Sequence, residues 1–184
     1  MENDKINSTN ILAADFKPGK NMKIGHYCII NEGVEIGDDV SIGNYTILHK
    51  GVKLGNGTKV GSYCEVEEGT KVGEKVILQG RIRTGEHCTI EDGVTLKYGT
   101  ILTSNALLKK NCFLGPNVIT LGSTHKRVTV HGTIIGENTY IGAGSKIAGG
   151  IKIGNDIAVG ALSFVNKDIS EQGVYAGIPV KKIK

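Results

Sequence analysis

A chain of 184 residues with 27 glycines, 5% aromatic residues and no tryptophan must fill its core with aliphatic side chains in a regular framework. Its net charge of +4 suits a phosphate-bearing small molecule but falls short of the basic stripe of a nucleic-acid binder. The polar start MENDKINSTN carries no secretory signal, and no run of ~18 apolar residues occurs, so a cytoplasmic protein with neither nucleic-acid nor membrane partners is expected.

Residues 1–20 show no repeat. Their AADFKPGKN segment is expected to strap or cap whatever follows. From Ile24 the chain counts in sixes. Every sixth residue from Ile24 to Leu114 is Ile, Leu or Val, with Thr84 the one exception. The series resumes at Ile135, displaced by three, and runs through Ile141, Ile147, Ile153, Val159 and Val165. Such self-similarity outranks local propensity. The residue two places before each anchor is mostly small or β-branched, as at Cys28, Val34, Thr46 and Val52. On an extended chain that spacing puts both side chains on one face. Twelve of the 22 anchors are followed by glycine, which suits a tight corner. Each hexad is therefore a short strand plus a corner, and three hexads close a triangular turn of 18 residues. Roughly seven such turns predict a column about 35 Å tall. The expected organisation is an N-terminal extension over 1–20, an all-β solenoid over 21–166 with a loop at about 117–132, and a tail over 167–184.

Cys28, Cys64, Cys88 and Cys112 all fall on the small inward position and read as core filler. No paired-cysteine spacing suggests zinc, and no metal site is expected.

The break in register draws attention to chemistry. Leu114 and Ile135 stand 21 residues apart, and GPNVITLGSTHKRVTVHG between them holds His125 and His131. An insertion in a solenoid becomes a loop on one side, often the binding side. A histidine there could take a proton from an attacking amine or hydroxyl at neutral pH. His125 is the candidate general base, and His131 a candidate substrate contact. After the loop, IGAGSKIAGG and VGALS place Gly142, Ala143, Gly144, Ala148 and Ala161 at outward or corner positions, where a thin ligand could reach backbone N–H groups. Lys167 and Lys181 could meet phosphates. Glu91, Asp92 and Asn105 could hold a polar acceptor.

The tandem hexads over 24–184 resemble the left-handed parallel β-helix of the hexapeptide-repeat acyltransferases. Val165, Lys167, Asp168, Ile169, Gly177, Pro179, Lys181 and Ile183 match that family's C-terminal signature, with Val180 where a smaller residue is usual. The stretch around Asn111, Cys112, Phe113, Gly115, Pro116 and Val118 is similar to the nucleotide-sugar N-acyltransferases of surface-polysaccharide synthesis. The resemblance implies a homotrimer with intersubunit sites, acetyl-CoA or another acyl-CoA as co-substrate, and acetylation of an amino group on a nucleotide-linked amino sugar. It also implies His125 as base and the Ala143 amide near the thioester. Sugar O-acetylation is an alternative. VHGTIIGENTYIGAGS also resembles γ-carbonic anhydrases, although His125 and His131 stand six apart rather than five. A non-enzymatic prism is disfavoured because the threonines fall on inward positions.

Overall fold

The computed structural model describes residues 7–124, 126, 128–130 and 132–184. Among them there is no helix, and none is long and apolar enough to cross a membrane. The chain climbs in a prism of about nine turns, which at ~4.8 Å per strand is roughly 43 Å.

Three faces follow one another along the chain. The first face carries Ile11–Leu12, Ile29–Ile30, Ile47–Leu48 and Glu65–Val66, continues through bridges at Arg83 and Ile101, and ends with Ile119–Thr120, Lys146–Ile147 and Phe164–Val165. The second face runs from Glu35–Ile36 to Lys152–Ile153, and the third from Lys23–Ile24 to Gly173–Ala176. Pairing is parallel with an 18-residue offset, as in Ile29↔Ile47 and Lys53↔Lys71. The terminal Lys181–Lys182 strand turns back, antiparallel to Gly173–Ala176.

The period of six works because each corner turns the chain onto the next face within three residues. The third corner residue commonly takes a left-handed conformation, supplied by glycine at Gly33, Gly51 and Gly69. Where the side chain is large, neighbouring turns stack it. Tyr27, Tyr45 and Tyr63 lie in register with ring centroids 5.1 Å apart. The Arg81 guanidinium lies 5.7 Å from the rings of both Tyr63 and Tyr98. Tyr140 stacks on Phe113 at 5.2 Å.

The core is the expected double column. Anchors such as Leu48, Leu78, Leu96 and Ile141 are wholly buried, and so are the small partners two residues earlier. Each buried aliphatic contributes about 1.5–3 kcal/mol over exposure. The inward threonines donate to corner carbonyls of the next turn, as Thr46 does to Gly61 (2.9 Å) and Thr58 to Gly73 (2.8 Å). A buried hydroxyl is thus satisfied.

Three boundaries differ from the sequence reading. The column already includes Ile11–Leu12, whose Ile11↔Ile29 pairing keeps the 18-residue offset, so part of 1–20 belongs to the first turn. Those residues escaped the pattern because Leu12 is followed by AADF rather than by another spaced aliphatic. At the other end, Ile169 bridges Ile153, and Gly173–Ala176 pairs with Ile157–Val159, so the tail of 167–184 adds a further turn. The inserted segment is also placed differently. Thr120 pairs with Ile147 and occupies the next anchor position after Leu114. The loop therefore begins after 120 rather than at 117. The turn that contains it has a 27-residue offset, Leu108↔Ile135, so the insertion is nine residues rather than three. A polar anchor concealed the strand. Thr120 is buried, and its Oγ1 accepts from the Thr103 N–H at 2.8 Å.

All four cysteines are free and buried. Burial pushes the thiols of Cys64 and Cys88 up to about 11 and that of Cys112 up to about 12, against an ordinary value of 9.0. Protonated thiols are poor nucleophiles. At pH 8 none of the four should react with an aromatic disulfide reagent until the chain is unfolded, when all four should. The folded thiols keep their protons where unfolded thiols lose them. The stability from this source is complete below pH 9 and drains away as pH rises toward 11–12, which denaturant titrations at pH 8 and pH 10.5 would register.

Candidate functional site

The prism has three edges, and the expected site residues divide among them. The first–second edge holds Asn105, Ala148 and Lys167, and the inserted segment leaves the column there. The second–third edge holds Glu91 and Asp92. The third–first edge holds Gly142, Ala143, Gly144 and Ala161, and Lys181 lies near its C-terminal end in the returning strand. A single subunit therefore does not gather them. Two edges are separated by one strand of the face between them, roughly 13 Å for four extended residues.

The insertion is a hairpin on the first–second edge. Ser123 and Thr129 form an antiparallel bridge. The Thr124 N–H donates to the Val128 carbonyl at 2.9 Å, and the Val130 N–H to Gly122 at 3.1 Å. His125 falls between the bridged positions in sequence, but His125 and His131 lie outside the described residues. Gly132 returns the chain directly onto Asn105, and a Cβ at Gly132 would stand 1.9 Å from the Asn105 carbonyl oxygen. Asn105 itself is exposed and has a left-handed backbone, with φ 60°.

Several small residues have structural work that the sequence did not reveal. A Cβ at Gly149 would lie 1.9 Å from Val130 Cγ2 and 2.6 Å from the Leu121 carbonyl oxygen. The Ala148-Gly149 corner is small because the hairpin packs on it, so Ala148 stands apart from the Ala143 group. Gly142 is pressed against the Ala161 amide, where a Cβ would come within 2.4 Å. Gly144 has φ +71° and is overlain by Leu162. Val180 is buried and donates its N–H to the Phe164 carbonyl at 2.9 Å, so it locks the returning strand to the column.

The Ala143 corner has an open amide, as do those of Asp92, Tyr98 and Asn155. At the middle corner position, the amide is often capped by a polar side chain one turn on. His26 donates to Asn44 Oδ1, Asn44 to Ser62 Oγ and Glu137 to Asn155 Oδ1. One turn beyond Ala143 stands Ala161, which has no acceptor in its side chain. Among the described residues the Ala143 N–H has no partner. It is thus free to donate to a carbonyl oxygen supplied from outside.

The acidic pair on the second–third edge is engaged within the column. Asp92 Oδ1 accepts from the Glu74 N–H at 2.9 Å, and Oδ2 lies 3.3 Å from Lys110 Nζ. These two contacts hold the Asp92 carboxyl below its ordinary range, with the backbone hydrogen bond the larger cause. Glu91 Oε2 accepts from the Lys110 N–H at 3.1 Å. Both carboxylates cap corners.

Sequence reasoning also passed over a charged network on the first face. His49 Nε2 lies 3.3 Å from Glu65 and 3.7 Å from Glu67, and Arg83 reaches the same two carboxylates at 3.3 and 3.4 Å. His49, Glu65 and Glu67 are the one set among the described residues whose spacing could hold a metal ion. Arg83 already offsets part of their charge. Beside this network is a groove of about 400 Å³, walled by Thr129 and Val130 of the hairpin and floored by Ile101 to Asn105. The signal in sequence was Thr84, the one polar residue in the series from Ile24 to Leu114. Its Oγ1 accepts from the Glu67 N–H at 2.9 Å, where the first-face ladder thins to single bridges.

With this geometry in place, the chain can be set beside known proteins. Residues 19–50 and 132–167 match the family model of the bacterial transferase hexapeptide (six repeats). The two matched segments make up 68 of the chain's 184 residues, and its fold is a left-handed parallel β-helix. No curated protein sequence matches it. Among solved structures, it is similar to perosamine N-acetyltransferase PerB from Caulobacter crescentus, seen with CoA and GDP-perosamine. That similarity has 24% identity, a TM-score of 0.60, and coverage of 66% of this chain and 55% of that one. The acetyltransferase domain of PglB from Neisseria gonorrhoeae, in complex with acetyl coenzyme A, aligns at 21% identity and TM-score 0.59 over 65% of this chain and 54% of that one. The UDP-N-acetylglucosamine acyltransferase from Campylobacter jejuni aligns at 17% identity and TM-score 0.78, covering 96% of this chain and 73% of that one. The chain thus spans about half the length of the first two.

Gly149→Ala should displace the hairpin, because the nearest clash is with the Val130 side chain, and should strain the corner beneath it, because the Leu121 carbonyl stands 2.6 Å away. Trypsin should cut at Lys126 and Arg127 about tenfold faster, with the melting temperature held within a few degrees. Adding Val130→Ala should restore resistance in part, because the Leu121 carbonyl contact remains.

Proposed function

We propose that the protein is a coenzyme-A-dependent acyltransferase that acetylates the amino group of a nucleotide-linked amino sugar, working as a homotrimer. One observation carries the reading. The single enlarged turn holds both the inserted hairpin, on the first–second edge, and Gly142-Ala143-Gly144, on the third–first edge. The two features stand at the same height on different edges. A threefold axis parallel to the column would set the hairpin edge of one subunit against the Ala143 edge of the next, and such a heterologous contact closes into a ring.

Within that cleft the chemistry divides simply. The pantetheine arm lies along the corners at Ala143 and Ala161, and the Ala143 N–H donates to the thioester oxygen as it gains charge. Lys167 and Lys181 meet the coenzyme phosphates. His125 takes the proton from the attacking amine. His131 and Asn105 contact the acceptor from the hairpin side. Support comes from the repeat match, from neighbours whose structures hold acetyl coenzyme A or CoA and from one that holds GDP-perosamine.

The test is incubation of the protein with acetyl-CoA and a panel of nucleotide-linked amino sugars and their hydroxy counterparts, following free thiol. Turnover with an amino sugar is expected, and His125→Ala should lower it by about 10²–10⁴. Turnover only with hydroxy sugars would assign O-acetylation, and no thiol release with any acceptor would refute the reading.

A further inference from the structure

The groove between the hairpin and the first–second edge has a charge at odds with the rest of the molecule. The chain as a whole carries +4. The groove and its continuation toward the N-terminus are lined by Glu32, Glu67, Glu68 and Glu86 against Lys50 and Arg83. Those two cations are already engaged, Lys50 with Glu32 at 2.7 Å and Arg83 with Glu65 and Glu67. Among the described residues the Glu86 carboxylate has no cationic partner. A second observation is independent of charge. Thr103, on the groove floor, has a buried Oγ1 with no hydrogen-bond partner among the described residues. A ligand hydroxyl or ammonium in the groove would satisfy that atom once the Thr103 side chain turns toward it. Ile101 and Val130 supply apolar walls on which the C–H face of a ring could rest.

We propose that this groove docks the acyl acceptor as a cationic amine, between Glu86 and the Thr103–Asn105 corner, and that it selects amines over alcohols. The proposal rests on the acyltransferase reading above and adds the site and charge of the acceptor. A protonated amine is drawn by the carboxylates in a site partly shielded from water by the hairpin. An alcohol of the same shape gains a hydrogen bond from Glu86 but no ionic attraction. In the reaction the ammonium releases one proton to solvent. Its lone pair then forms the N–C bond to the thioester carbon, the C–S bond breaks, and the remaining surplus proton passes through His125 to the sulfur, so coenzyme A leaves as a thiol. The anionic nucleotide end of a linked sugar must lie outside this groove, because the stacked glutamates would repel a diphosphate.

The test is binding without acetyl-CoA, using glucosamine and glucose as probes and backbone amide resonances as the readout. Glucosamine should shift residues 84–86 and 103–105 with an affinity about tenfold above that of glucose. Glu86→Gln, isosteric and at an exposed corner, should remove most of that difference and leave glucose binding unchanged. Raising salt from 20 to 300 mM should weaken glucosamine alone. Equal binding of the two sugars, shifts confined to residues 142–144, or an unaltered Glu86→Gln variant would each overturn the proposal. Glucosamine binding in the groove without thiol release from any amine would support the docking site and refute the acyltransferase reading instead.

Discussion

Every turn of this molecule must lay its strands on the turn below, and that parallel pairing at an 18-residue offset determines almost everything else. The constraint explains why anchors recur every six residues, why the residue two earlier is small or β-branched, and why corners take residues that accept a left-handed backbone. A strand of two residues cannot hold a position alone. It does so here because its backbone is bonded above and below and its anchor is buried in a continuous aliphatic column.

Such a column leaves few places for chemistry. Its interior is filled, and its faces are flat ladders of exposed side chains. Recognition is left to the edges and to departures from the period. The one large departure is the turn with a 27-residue offset, which puts a hairpin on one edge while an uncapped amide at Ala143 stands on another at the same level. Small residues serve that arrangement for different reasons. Gly149 makes room for Val130, Gly142 for the Ala161 backbone, and Ala161 withholds the side-chain acceptor that other turns supply.

The column was legible in the sequence because aliphatic anchors announce themselves by spacing, and the inward cysteines and threonines were legible for the same reason. The limits of the pattern were set by polar anchors. Thr120 hid a strand and made a nine-residue insertion look like one of three. Leu12, isolated by the sequence that follows it, hid the first turn. The site was less legible, because edge membership depends on counting corners through that insertion. Ala148 and Ala143, on successive corners, fall on different edges, and Glu91 and Asp92 prove to be corner caps. The first-face groove had only Thr84 as a signal, since glutamates on a repeat surface look alike until their partners are known.

An intersubunit site built from two different edges can be tested by complementation. His125→Ala disables the hairpin edge. Ala143→Pro deletes the free amide at a corner position where Pro116 already sits one turn below. Each variant alone should be nearly inactive. Co-expressed in equal amounts and randomly assembled as trimers, they should regain about a quarter of the wild-type rate, because one in four edge pairings joins two intact halves. A mixture no more active than its two components would contradict a site shared between neighbouring columns.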